Sequence, residues 1–235
     1  AEKAFRRAPV TGELEPVQKL VSQKISDGVA PLEALKLGFQ SILCSPGFLY
    51  LNLGEGELNE YALASRLSYF LWSSPPDDTL LDLARNGSLR AGLSSQVKRM
   101  LADSRSDRFV RHFVRSWLDL DNIGSMPPSQ DFLVYYRDNL ESAMRDETET
   151  FFRHVLDNNL PPREFLDANY SFLNRELALH YGIQGVEGNK LRRVSLSGSS
   201  RGGLLGHGAF LTASANGVDT SPVVRGIYVL EKILG

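Results

Sequence analysis

Apolar residues recur along most of this chain at intervals of three and four, the spacing that places them on one side of a helix. Leu14, Val17, Leu20, Val21 and Ile25 follow a start signal at Thr11–Glu13, and Gly28 supplies a stop. Pro31 then opens a second helix whose inner face would carry Leu32, Leu35, Phe39, Ile42 and Leu43. Ser45-Pro46-Gly47 ends it, and Gly54 to Gly56 reads as a turn and a subdomain boundary. Asn59 begins a helix with Leu63, Leu67, Phe70 and Leu71 on its apolar face. Asp77 and Asp78 stand at the start of the next, where free N–H groups and the helix dipole favour negative charge.

Further helices are predicted from Ser94 to Leu101 and from Asp107 to Leu118. Pro127 and Pro128 mark a loop. The longest helix follows from about Tyr135 to Asp157, with Leu140, Met144, Phe151, Phe152 and Val155 as its buried stripe. Phe165 and Leu166 fall in a short turn, and Asn174 caps a helix that ends at His180-Tyr181-Gly182. Leu191 to Leu196 alone alternates like a strand. A helix over Gly203–Ala213, a turn at Asn216-Gly217 and a last helix behind Ser221-Pro222 complete the chain, with Val223, Val224, Ile227, Tyr228, Leu230 and Ile233 facing inward. The fold class this predicts is mostly α: an irregular helical bundle with at most one small β element near residues 191–196.

Composition changes this picture little. The 235 residues are 42% hydrophobic and 23% charged with a net charge of −2, as in an ordinary globular chain long enough to bury a core. No run of about 18 apolar residues is present, so no membrane span is predicted. Charge is unevenly placed: residues 130–187 are acidic in balance and residues 188–235 basic, which reads as facing or solvated surfaces. The basic part lacks interleaved aromatics, so no nucleic-acid partner is expected. Cys44 is the single cysteine and reads as a small buried hydrophobe; it excludes an internal disulfide, and the Cys-x-x-Cys-His haem attachment is absent.

Candidate chemistry concentrates in the last 35 residues. His207, between Gly206 and Gly208, is the best catalytic candidate, because flanking glycines let a ligand or another backbone approach and histidine titrates near neutrality. The alternative is a packing histidine bonded to a carbonyl where glycines bring two helices close. Arg201, Asp219, Thr220, Ser221 and Arg225 are anion-binding candidates: hydroxyls and free N–H groups at a helix start with a guanidinium one turn along. The other reading is an ordinary capped helix with Arg225 in an ion pair. Gly198-Ser199-Ser200-Arg201-Gly202 matches G-x-S-x-G, but no parallel sheet is predicted and no histidine follows, so Ser200 reads as a surface turn. Glu147, Glu149 and His154 lack the Glu-x-x-His and His-Glu-x-x-His spacings. They read as solvated side chains, with no metal site.

LNEYALASRLSYFLWSSPPDDTLL, RFVRHFVRSWLDL, ETETFFRHVL, DANYSFLNRELALHYGI, RGGLL and TSPVVRGIYVLEKILG together resemble the planctomycete-type, cytochrome-associated proteins built of conserved domains of unknown function. The resemblance runs over nearly the whole chain. It implies that residues 1–53 are the end of a preceding helical domain, 54–200 the main helical domain, and 201–235 the start of a following domain packed on the main one. It also implies a larger parent protein, export to the periplasm or beyond, and a c-type cytochrome domain elsewhere in the parent, with no cofactor in this chain.

Three functional readings follow. The first is a helical scaffold or docking module whose partners are the remaining domains of the parent. The second is an enzyme subunit, hydrolase or oxidoreductase, acting on an anionic or carbohydrate-like substrate, with His207 as acid/base and Ser221 and Arg225 holding the anion. In the third, His207 or His180 contacts a haem brought by a partner or another domain.

Overall fold

A computed structural model of the chain describes residues 1–51, 56–124, 139–215 and 221–235. They form two compact units, Ala1–Phe109 and Val110–Gly235, built almost entirely of helices.

The first unit contains α1 (Glu2–Phe5), α2 (Glu15–Ser26), α3 (Pro31–Leu43), α4 (Pro46–Leu49), α5 (Glu60–Trp72), α6 (Asp78–Arg85), α7 (Leu93–Leu101) and the start of α8 (Asp107–Trp117). Local chemistry sets their ends. Asn59 Oδ1 accepts from Ala62 N at 2.9 Å and Asp77 Oδ1 from Leu80 N at 3.0 Å, each satisfying a donor the helix itself cannot. Trp72 is fully buried with Leu80, Leu89 and Met100; its indole N–H donates to Met100 O at 2.9 Å, and the Arg105 guanidinium lies 3.4 Å over its ring.

Which faces are buried differs from the expectation. Helix α3 buries Ala34 and Gly38, while Leu32, Leu35, Phe39 and Leu43 are 65%, 48%, 64% and 47% exposed. The reason is that α2 packs on the small-residue side of α3, so closely that a Cβ on Gly38 would lie 2.6 Å from Val21 Cγ2. In α5 the buried stripe is Ala64, Ser68, Leu71 and Trp72, and Phe70 points outward. Cys44, at the C-terminal cap of α3, is exposed and not the buried hydrophobe expected.

The second unit contains the rest of α8, then α9 (Leu140–Asp157), α10 (Glu164–Asp167), β1 (Tyr170–Leu173), α11 (Arg175–Tyr181), β2 (Arg192–Ser195), α12 (Gly208–Ala213) and α13 (Pro222–Val229), which passes into a wider π-helical turn at Leu230–Leu234. The two strands pair antiparallel, Tyr170 opposite Ser195 and Leu173 opposite Arg192. Strand β1 escapes sequence analysis because Tyr170, Ser171 and Leu173 are all buried, so it shows no alternation. It packs on α9, whose buried face is Met144, Glu147, Thr148, Phe151 and Val155.

The helix expected over Gly203–Ala213 is interrupted. A short 3-10 turn at Leu204–Gly206 is followed by His207 in extended conformation (φ −69°, ψ 142°), and α12 starts after it. In α13, Tyr228 is the buried residue and its hydroxyl donates to Leu118 O. Val223, Val224, Ile227 and Leu230, expected to face inward, are exposed. The loop at Pro127 and Pro128, the start of α9 at Tyr135, and the turn at Asn216-Gly217 lie outside the described residues, as do Asp219 and Thr220.

Candidate functional site

Five elements of the second unit bring polar side chains to one buried point. Helix α9 supplies Glu147 and Thr148 from the middle of its apolar face; Glu147 is three residues past Met144 and four before Phe151. Strand β1 supplies Ser171, and the last turn of α11 supplies Tyr181. His207 enters from the extended residue before α12, and Arg201 from the segment that follows β2. Glu147 and Ser171 are fully buried, and Thr148 and His207 are each 1% exposed.

The hydrogen bonds form one connected set. Ser171 Oγ donates to Glu147 Oε1 at 2.6 Å, and the Tyr181 hydroxyl donates to Glu147 Oε2 at 2.5 Å. His207 Nε2 lies 3.3 Å from Ser171 Oγ, and His207 Nδ1 lies 3.1 Å from Thr148 Oγ1. Gly208 N donates to the Tyr181 oxygen at 2.6 Å. With the imidazole neutral, these contacts are met when its proton sits on Nε2 and donates to Ser171 Oγ, while Nδ1 accepts from the Thr148 hydroxyl, which also lies 3.3 Å from Met144 O. In that arrangement the donors lead by two routes to the Glu147 carboxylate, one from His207 through Ser171 and one from Gly208 through Tyr181.

Burial is the main reason the His207 imidazole is pushed below its ordinary value near 6.5. Glu147 opposes that shift and Arg201 adds to it. The Tyr181 phenol is pushed well up, first by burial and then by the Glu147 charge. Phe151 meets the His207 ring edge-on at 5.0 Å. Arg201 covers the outer side: its guanidinium is 3.9 Å from the Tyr181 ring centroid and donates to Gly206 O at 2.7 Å. The glycines permit this density. A Cβ at Gly208 would lie 2.9 Å from both Met144 Cγ and the Tyr181 oxygen.

His207 is therefore packed between helices, as one of the two expectations has it, but its partners are the Thr148 and Ser171 hydroxyls and not a carbonyl. Glu147, expected to be solvated, is buried; its place on the Met144–Phe151 face of the helix is the sequence signal that could have revealed it. Glu149 pairs with Arg115 at 2.7 Å, and the His154 ring lies against Tyr170 and Phe172. No group of three or more potential metal ligands occurs among the described residues.

Of the anion-binding candidates, Arg201, Ser221 and Arg225 are among the described residues, and their side chains make separate contacts. Ser221 Oγ accepts from Val224 N at 3.4 Å as a helix cap. Arg225 Nε donates to Ser214 Oγ at 3.2 Å, and its Nη2 reaches Leu211 O at 3.5 Å. Among the described residues the His207 and Arg225 side chains thus have no hydrogen-bond partner in common, whereas Arg201 lies over the Tyr181 ring and donates to the carbonyl of Gly206, the residue before His207. Ser200 sits on an exposed bend. Chemically, the buried set can hold protons in fixed positions and fasten residues 201–213 to α9, β1 and α11. Its donors and acceptors are turned toward one another.

No curated protein and no solved structure matches the chain. The family model of PSD5, a protein of unknown function (DUF1595), matches residues 1–52. The family model of PSD4, a protein of unknown function (DUF1592), matches residues 58–183, a stretch that holds Glu147, Thr148, Ser171 and Tyr181. As that match covers more than half of the 235 residues, the chain belongs to the DUF1592 family.

Proposed function

We propose that this chain is a helical scaffold or docking module of an exported, cytochrome-associated multidomain protein, and that its partner is another helical domain of the same parent. The observation that carries this reading is the outward face of α3. Leu32, Leu35, Phe39 and Leu43 follow one another at intervals of three or four residues, and each is about half exposed or more. A helix that turns a repeating apolar face to solvent is suited to lie against a second apolar helix or groove. The c-type cytochrome domain and periplasmic location rest on the resemblance of the ordered motifs. The enzyme reading draws no support from the contacts, because His207 is enclosed and Arg225 is directed elsewhere. No described helix is long and apolar enough to cross a membrane.

The test is co-elution of the purified chain with the purified remaining domains of its parent on size exclusion, with Leu35→Glu/Phe39→Glu as the comparison. The wild type is expected to co-elute and the variant to run alone. Equal behaviour of the two, or no association of the wild type, would remove the docking role. An absorption spectrum of the native assembly reports whether haem accompanies it.

A further inference from the structure

The second unit carries a groove of about 460 Å³ between the C-terminal end of α9, α10 and the two-stranded sheet. It is separate from the enclosed His207 set, and its lining is mostly polar side chains on regular elements. Asn158 caps α9, Glu164 and Asp167 belong to α10, Tyr170 to β1 and Arg193 to β2.

Part of this lining is held in place by the protein. Tyr170 is 5% exposed; its hydroxyl donates to Glu164 Oε2 at 2.9 Å, and the Arg193 guanidinium lies 3.9 Å from its ring centroid. The Asn158 amide donates to His154 O at 2.8 Å. Tyr170 thereby acts as a positioning residue for both a carboxylate and a guanidinium. Other groups face the groove uncommitted: among the described residues, Glu164 Oε1, Asn158 Oδ1 and the Asp167 carboxylate have no side-chain hydrogen-bond or ion-pair partner.

The chemistry of the lining selects the ligand. Arg163 and Arg193 are balanced by Glu164 and Asp167, so the groove has no net formal charge and presents acceptors and fixed donors side by side. An anion would gain from the guanidinium groups and lose against the carboxylates. A neutral polyol uses both, since each hydroxyl donates and accepts, and a vicinal diol spans the two oxygens of a carboxylate or two N–H groups of a guanidinium. The volume falls within the range of small-molecule pockets, roughly 300–1,000 Å³, and accommodates one or two pyranose rings. We propose that this groove binds a neutral saccharide, its hydroxyls held by Asp167, Asn158 and Arg193.

The experiment is isothermal titration of the whole chain with glucose, galactose, mannose, xylose and cellobiose, alongside glucuronate and inorganic phosphate. At least one neutral sugar is expected to bind, with a dissociation constant on the order of 1 mM, an affinity typical of few contacts on an open surface. Asp167→Ala and Arg193→Ala each weaken that binding about tenfold, the loss expected for a charge-assisted hydrogen bond. Both residues are exposed, so each variant should stay folded, Asp167→Ala with the wild-type melting temperature and Arg193→Ala with at most a small fall from the lost contact with the Tyr170 ring. The proposal is overturned if no neutral sugar binds at concentrations of about fifty times that constant, if glucuronate or phosphate binds more tightly than every neutral sugar, or if both variants bind the sugar as the wild type does.

Discussion

Ser171 Oγ lies 2.6 Å from Glu147 Oε1 and is the atom through which a strand of the small sheet is tied to the middle of the longest helix. Fully buried, the carboxylate depends on that hydroxyl and on Tyr181 for its hydrogen bonds. Losing the carboxylate strands both donors. Glu147→Ala is expected to destabilise the second unit by about 3 kcal/mol, the cost of leaving buried polar groups unmatched. Glu147→Gln, which keeps one acceptor, costs less, about 1–2 kcal/mol. Urea denaturation of the two variants measures the difference; equal and small effects would mean that the Ser171 and Tyr181 contacts contribute little.

His207 gives the second unit a dependence on pH. Its folded pKa lies below the ordinary value of 6.5, so between the two the unfolded chain binds a proton that the folded chain does not. Stability is then full above about pH 6.5 and falls as pH drops toward the folded value, at up to about 1.4 kcal/mol per pH unit. His180 is shifted in the same direction, but it is exposed and adds little. Denaturation midpoints of the wild type between pH 8 and about pH 5 should fall, and His207→Gln should flatten the slope whatever it does to the absolute stability.

Glycines at close approaches are predicted to behave differently from an exposed helical one. Gly208→Ala places a methyl group 2.9 Å from Met144 Cγ and the Tyr181 oxygen, and an overpacked core of this kind costs about 1–3 kcal/mol. Gly203→Ala is worse, because its Cβ would meet the backbone oxygens of Phe165 and Leu166 at 2.6 and 2.7 Å and its φ is +53°. Gly226 lies inside α13, where an added methyl group would meet no atom within 4 Å, so Gly226→Ala should stabilise by up to about 1 kcal/mol through helix propensity. Thermal melts of the three variants give the order.

In the first unit, Trp72→Phe keeps most of the buried volume and removes the indole donor to Met100 O, which still accepts from Asp103 N at 3.3 Å. A loss of about 1–2 kcal/mol is expected. Arg105→Ala removes the cation over the ring and one partner of Asp103, and should cost about 1 kcal/mol or less, since this pair is partly solvated. Chemical denaturation distinguishes the two, and a larger effect for Arg105→Ala would mean that the stacked guanidinium, not the indole N–H, holds Trp72.

Helix ends were the most legible feature in the chain. Asn59, Asp77, Asn174 and Ser221 each cap the helix that their sequence context announces, since a cap needs only a side-chain oxygen and an N–H two or three residues away. The polar cluster was half legible. His207 and Arg201 stood out by their glycines and charge, whereas Ser171 and Thr148 looked like any other hydroxyls and Glu147 like a surface carboxylate. The place of Glu147 on the Met144–Phe151 face points it inward, but what satisfies the buried carboxylate is not legible until its hydroxyl partners, 24 and 34 residues away, are in place.

Helical class, the start and stop of most helices and the close approach at the glycines beside His207 could be read along the chain. They depend on short-range hydrogen bonding, on glycine's missing side chain and on the period of the apolar pattern. The inward side of α9 was legible, since Leu140, Met144, Phe151, Phe152 and Val155 are all buried, but that of α3 was settled in three dimensions. A large apolar stripe on α3 would seek burial in isolation, but α2 packs against Ala34 and Gly38 more closely than it could against Leu35 and Phe39. Burial is a property of the pair of surfaces, and the second surface is written elsewhere in the chain.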